Sequence, residues 1–249
     1  MLLEVDRVSK SFHGRRGTVR AVRDVGLTIE SGECFGLIGE SGSGKSTLGG
    51  IIAGLVAPDS GTVALTGTRL DARSARSRRA HQRQLQMVFQ DPRSSFDPRR
   101  SIGDSLREPL RFKLGRNRSQ QEDAVAEVLE RVGLPVTIQG SGLHSVSVGQ
   151  AQRVAIARAL LAEPALIICD EITSALDATV RASILELLAE LQTQQALSML
   201  FISHDIAVVA QLAGRIAVMS AGALIEQGDT AEVISNPQHP YTRTLIEMA

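Results

Sequence analysis

The sequence predicts an α/β fold, on three observations: short runs that are apolar throughout, helical repeats between them, and one long stretch with no strand signal. Leu2 to Val8, Cys34 to Ile38, Thr62 to Thr66, Ala165 to Cys169, Ser198 to Ser203 and Arg215 to Met219 are aliphatic or β-branched and bounded by glycine and polar residues, as strands are. Several carry no polar residue at alternate positions, the pattern of strands covered by helices on both faces of a mainly parallel sheet. Between them Val125, Val128, Leu129 and Val132 recur with helical spacing, after a capping box expected over Ser119 to Glu122 and before Gly133 at the C-cap. Ile184, Leu187, Leu188 and Leu191 repeat that spacing. The stretch from Asp91 to Gly149 lacks strand candidates and reads as a mainly helical insertion. The expected organisation is one domain over 1–249, with a core of 1–90 and 150–249 and an inserted lobe of 91–149.

Composition narrows the class. A chain of 249 residues can bury a large core. Its 27 basic and 27 acidic residues cancel, so the balance points to neither nucleic acid nor an anionic surface. The tract Arg69 to Arg83 holds six arginines without interleaved aromatics, and reads as a solvated helix face or loop before it reads as a nucleic-acid patch. Cys34 and Cys169 lie inside apolar runs and read as buried reduced thiols, consistent with a cytosolic setting. Acidic residues interrupt the first residues where a signal peptide needs an apolar stretch, and no run of about 18 apolar residues follows. Against 24 arginines there are three lysines, which makes Lys45 conspicuous.

Lys45 lies in Gly39-Glu40-Ser41-Gly42-Ser43-Gly44-Lys45-Ser46-Thr47, between the apolar run Cys34 to Ile38 and a segment suited to a helix, Leu48 to Leu55. Glycines let such a loop curl its N–H groups toward phosphate oxygens, and the helix that follows adds its positive end. In the pattern G-x-x-x-x-G-K-[ST], Lys45 would reach the β and γ phosphates of ATP and Ser46 would offer a hydroxyl to Mg²⁺. Further on, the run Ala165 to Cys169 ends in Asp170-Glu171, which sets two carboxylates at the sheet edge where phosphates bind. Asp170 suits a water-mediated Mg²⁺ role, and Glu171 suits the base that polarises the attacking water.

With these elements in place the whole chain resembles the nucleotide-binding subunit of ABC transporters. The resemblance implies a P-loop NTPase core with an antiparallel β subdomain and an inserted helical subdomain. Gln90, in Met87-Val88-Phe89-Gln90-Asp91-Pro92, resembles the glutamine that contacts Mg²⁺ and water and reports the nucleotide state. Ser174-Ala175-Leu176-Asp177 resembles the loop that meets the opposite subunit, and His204 the histidine that touches the γ-phosphate. Phe12 falls where the family stacks an aromatic ring on adenine, with a core phenylalanine as the equal alternative. The segments Phe89 to Arg99 and Asn236 to Thr242 resemble importers of the dipeptide, oligopeptide and nickel group. The short C-terminal extension is similar to nickel and metal-chelate members.

One segment departs from the family pattern. Val146-Ser147-Val148-Gly149-Gln150 stands where the family has Leu-Ser-Gly-Gly-Gln. Ser147, Gly149 and Gln150 would serve a second subunit's ATP, while Val148 replaces a glycine that permits close backbone approach and unusual φ. Ile172 stands where proline is usual. The resemblance implies two transmembrane permease subunits as partners, a second ATP-binding subunit (a heterodimer ahead of a homodimer), an extracytoplasmic binding protein acting indirectly, and a place on the cytoplasmic face of the cell membrane. It implies no nucleic-acid partner. The alternatives are an ABC-type ATPase of DNA repair or translation, which usually carries a long coiled coil or tandem cassettes, and a regulatory subunit that binds ATP without hydrolysing it.

Overall fold

A computed structural model describes residues 1–14, 17–112 and 114–247. In chain order the elements are β1 (Leu3–Gly14), β2 (Gly17–Ile29), β3 (Cys34–Ile38), α1 (Lys45–Ile52), β4 (Ser60–Leu65), β5 (Thr68–Arg69), α2 (Ala75–Gln84), β6 (Leu85–Val88), α3 (Ile102–Phe112), α4 (Arg118–Arg131), α5 (Val148–Leu161), β7 (Leu166–Asp170), α6 (Ala178–Gln195), β8 (Met199–Ser203), α7 (Ile206–Val209), β9 (Arg215–Ser220), β10 (Ala223–Asp229), α8 (Thr230–Ser235) and α9 (Pro240–Glu247). Among the described residues the strands form a six-stranded sheet, ordered β10-β9-β3-β8-β7-β6, and a four-stranded sheet, ordered β2-β1-β4-β5. The larger sheet is parallel from β9 to β6, with β10 antiparallel at one edge. The smaller one is antiparallel throughout.

Side chains that alternate along a strand decide which layer each residue joins. In β3, Cys34 and Ile38 enter one apolar cluster and Phe35 and Leu37 the other. In β7, Ile167 and Cys169 face the first cluster while Leu166 and Ile168 face the second. Asp170 ends that strand with the parity of Leu166 and Ile168, so its carboxylate leaves the sheet on their side. That side holds α1, whose Leu48, Ile51 and Ile52 pack with Leu3, Val5, Val22, Leu27 and Ile29 of the small sheet. Burying one such side chain contributes about 1.5–3 kcal/mol. A Cβ on Gly49 would lie 2.9 Å from Ile202 Cδ1, so glycine lets α1 approach β8 closely.

The opposite cluster runs without a break from Cys34 and Ile38 of the sheet to Leu106 and Leu110 of α3 and Val125, Val128 and Leu129 of α4. Between β6 and β7 the described chain is helical, with 3₁₀ turns at Pro92–Ser95, Val136–Gly140 and Leu143–Ser145, and α5 carries it back to the sheet.

Several local expectations needed correction. The strand expected over Leu2 to Val8 continues to Gly14, and β2, β5, β6 and β10 had no counterpart in the reading of the sequence. Register shifts in the β1–β2 ladder, with positive φ at Arg7 (46°) and Asp24 (50°), break the two-residue period by which a strand is recognised. β10 is a half-exposed edge and β5 and β6 are very short. The capping box lies at Asn117 rather than Ser119: Asn117 Oδ1 accepts from Gln120 N at 3.0 Å and Asn117 N donates to Gln120 Oε1 at 3.0 Å. Asparagine is among the strongest N-cap residues, so the helix starts earlier. The helix expected over Leu48 to Leu55 begins at Lys45 and ends at Ile52. Most of the arginine-rich tract lies on α2, whose one buried residue is His81.

Candidate functional site

The turn between β3 and α1 is built on left-handed glycines, with φ of 152° at Gly39, 82° at Gly42 and 109° at Gly44. At Gly39 a Cβ would lie 2.1 Å from Met219 O, and at Gly44 2.1 Å from Ala21 O. These two positions admit only glycine, because both the backbone angle and the space forbid a side chain. Gly44 caps α1 with no side-chain hydrogen bond, so the N–H groups of its first turn face a cavity of about 490 Å³. That volume suits a small-molecule ligand. Lys45, Ser46, Thr47, Gln90 and Glu171 line it, with Arg20 and Ala21 of β2 opposite.

Lys45 is 3% exposed, and its ammonium donates to Gly39 O at 2.6 Å and Glu40 O at 2.8 Å. Burial pulls its pKa below the usual lysine range, opposed by the charges of Glu171, Asp170 and Glu40. Ser46 Oγ donates to Asp170 Oδ1 at 3.1 Å, which is what the parity of β7 requires. Burial pushes the Asp170 carboxyl above the usual range, resisted by the Ser46 hydrogen bond. Glu171 comes next with φ of 51°, a conformation that costs a non-glycine residue of order 1–3 kcal/mol. Its N–H still bonds Ile202 O at 3.0 Å, and its carboxylate lies 3.8 Å from Lys45 Nζ and 3.5 Å from His204 Nδ1.

Gln90 Nε2 donates to Ser174 Oγ at 3.0 Å, and Ser174 Oγ donates to Glu171 O at 2.9 Å. A relay thus ties Gln90 to the backbone of Glu171, with Ser174 as a link that the sequence showed only as part of a loop motif. Val19, Arg20 and Ala21, and Ala221 and Gly222 beyond β9, also line the cavity and were missed. The signal for the first three was hidden with β2. Phe12 is 45% exposed, so it is no core residue; it pairs across the hairpin with Val19, which lines the cavity, and its ring lies 5.5 Å from Lys10 Nζ.

Ser147, Gly149 and Gln150 are held apart from this cavity. Ser147 caps α5: its Oγ accepts from Gln150 N at 3.2 Å and its N–H donates to Gln150 Oε1 at 3.0 Å. A Cβ on Gly149 would lie 2.6 Å from Val180 Cγ1, so this turn packs directly on the first turn of α6. Asp177 caps α6 by accepting from Val180 N at 3.0 Å. Val148 is the first helical residue, 43% exposed, and is not among the residues with positive φ. The expected clash between valine and an unusual φ is therefore absent; what valine adds is bulk at the surface. Ile172, the substitute for proline, is buried.

A glycine-curled loop with a buried lysine, a hydroxyl bonded to a strand-end aspartate and a glutamate beside it define a phosphate-binding ATPase class of site on an α/β sheet. The sequence pattern of the ABC transporter family matches residues 22–174. A putative peptide import ATP-binding protein of Brucella abortus is 43% identical over 235 residues, covering 94% of this chain and 70% of that protein. The oligopeptide transport ATP-binding protein OppD of Mycobacterium bovis is 44% identical over 247 residues, covering 98% of this chain but 40% of that protein. Among solved structures, a dimeric ATP-binding cassette in a post-hydrolysis state bound to ADP and Pi superposes with a TM-score of 0.84 at 27% identity, covering 92% of this chain and 99% of that one. The chain belongs to the ABC transporter family and is an ATP-binding cassette.

Proposed function

We propose that this chain hydrolyses Mg-ATP at the Lys45–Glu171 cavity as one subunit of a membrane importer of peptides. The observation that carries the catalytic reading is the Glu171 carboxylate, set between Lys45 Nζ and His204 Nδ1 beside the Ser46–Asp170 hydrogen bond. Lys45 and the N–H groups of the Gly39 to Thr47 loop bind the phosphates. The residues suit Mg²⁺ as well: Ser46 and Gln90, both with oxygen donors, line the cavity, and Asp170 accepts from the Ser46 hydroxyl. The metal would neutralise charge on the phosphate oxygens. Glu171 accepts the proton of the water that attacks the γ-phosphorus, the bond to the β–γ bridging oxygen breaks, and ADP and phosphate leave. His204, with half of its ring exposed, contacts the γ-phosphate from the end of β8.

Ser147, Gly149 and Gln150 serve the ATP of a second ATP-binding subunit, across an interface that also includes Asp177. That their own contacts lie within α5 and against α6 supports this reading. We place the division of the domain at 91–149 for the helical lobe. The partners are two transmembrane permease subunits and a second cassette, at the cytoplasmic face of the membrane. Among the described residues no helix is long and apolar enough to cross a bilayer. Peptide as substrate class is supported by the names of the Brucella and Mycobacterium relatives over nickel. Reconstitution with the permease subunits tests it: ATP-dependent peptide uptake that Glu171→Gln abolishes is expected, and uptake indifferent to that substitution overturns it.

A further inference from the structure

We propose that Tyr241, in the C-terminal helix α9, is a positioning residue of the phosphate loop. This inference rests on the ATP-binding reading of the Lys45 cavity. Tyr241 is the single tyrosine of the chain, and its hydroxyl oxygen accepts from Glu40 N at 3.0 Å across 201 residues of sequence. That N–H and the Gly39 carbonyl belong to one peptide unit, and the carbonyl end accepts from Lys45 Nζ at 2.6 Å. One peptide plane is therefore held at both ends, by the site lysine on one side and by α9 on the other. When Lys45 turns its ammonium toward a phosphate it gives up part of its hold on the loop carbonyls, and Tyr241 remains to keep the plane in place.

The tyrosine is itself anchored independently of the loop. Glu226 of β10 accepts from Gln238 N at 2.8 Å and from His239 N at 3.1 Å, and His239 Nδ1 accepts from Tyr241 N at 3.1 Å. Thr242 and Leu245 are buried beneath the helix. The His-Pro-Tyr-Thr segment thus places one hydroxyl against the second residue of the phosphate loop. A loop held in its bound shape before the nucleotide arrives binds more tightly, because less ordering remains to be done.

The test compares the full chain with Tyr241→Phe, which keeps the ring and removes the hydroxyl, and with Glu226→Ala, which loosens the anchor but keeps the hydroxyl. Titration calorimetry with Mg-ATP and Mg-ADP, melting without nucleotide, and steady-state ATPase of the assembled transporter are the readouts. For Tyr241→Phe we expect Kd and KM to rise roughly three- to tenfold, the worth of one neutral hydrogen bond, with saturating kcat and melting temperature unchanged. Glu226→Ala should raise Kd less. Wild-type affinity in Tyr241→Phe, a loss of affinity matched by a loss of thermal stability, or an equal or larger effect from Glu226→Ala overturns the inference. Failure of the unmodified chain to bind Mg-ATP overturns the reading of the site itself.

Discussion

The two ends of the nucleotide machinery in this chain are built in opposite ways. Around Lys45 the parts converge from distant sequence: Asp170 at the end of β7 meets Ser46 of the Gly39 to Thr47 loop, Glu171 just after it lies beside Lys45 and His204, and Gln90 after β6 lines the same cavity. At Ser147 the turn is self-contained, its side chains spent on capping their own helix and its glycine on packing against Val180. One region can bind a ligand alone. The other has a helix N-terminus and an exposed Val148 outside that cavity, and in the function proposed above it serves the ATP of a second subunit.

The largest effect expected of a single change is at the first region. Lys45→Ala removes the one ammonium that lines the cavity among the described residues and should weaken Mg-ATP binding by at least about 100-fold, the order expected from losing a buried charge-assisted contact; near-native affinity in calorimetry would undo the contrast at once. Glu171→Gln should lower kcat by roughly 10²–10⁴ while nucleotide still binds and a dimer accumulates in ATP, as size-exclusion chromatography would report.

Asp170→Asn separates stability from function. With its pKa raised by burial, the folded state favours the protonated carboxyl. That contribution is fully present below the ordinary carboxylate range and is lost as pH rises through the raised value. At neutral pH the uncharged amide should therefore stabilise the apoprotein, by about 1 kcal/mol, while Mg²⁺-dependent ATPase falls. The melting-temperature advantage over wild type should shrink on acidification.

At the second region, Gly149→Ala should cost about 1–3 kcal/mol by overpacking against Val180, read by thermal denaturation, and should reduce cooperative ATPase of the assembled dimer while leaving ATP binding at Lys45 intact. The smallest effect is expected from Val148→Gly. Since valine imposes no backbone strain here, the substitution should raise turnover only at the site of the opposite subunit, by no more than a few fold. A change in this chain's own Kd for ATP would show that the two regions are not separate.

What could be read in advance followed the range of the forces involved. The phosphate loop was legible because its chemistry is local: nine consecutive residues carry the glycines, the lysine and the hydroxyl, and their backbone angles belong to the loop itself. Continuous apolarity exposed β3, β7 and β8 for the same reason. The β2 strand was hidden because its register shifts against β1, with Arg20 and Arg23 exposed, break the alternation by which a strand is recognised, and with it went Val19, Arg20 and Ala21. The capping box was misplaced by two residues because several polar residues compete for one cap.

By itself, then, the sequence determined which groups this protein has for handling a phosphate and that a buried parallel sheet would present them. Only the tertiary structure decided that Asp170 leaves β7 on the α1 side to meet Ser46, that Val148 sits in an ordinary helical turn, and that Tyr241 reaches back to Glu40. The first depends on the parity of a strand and the last on the docking of a distant helix, and such contacts arise when the layers pack around a common core, while the Val148 turn depends on its backbone angles, which the residue types leave open.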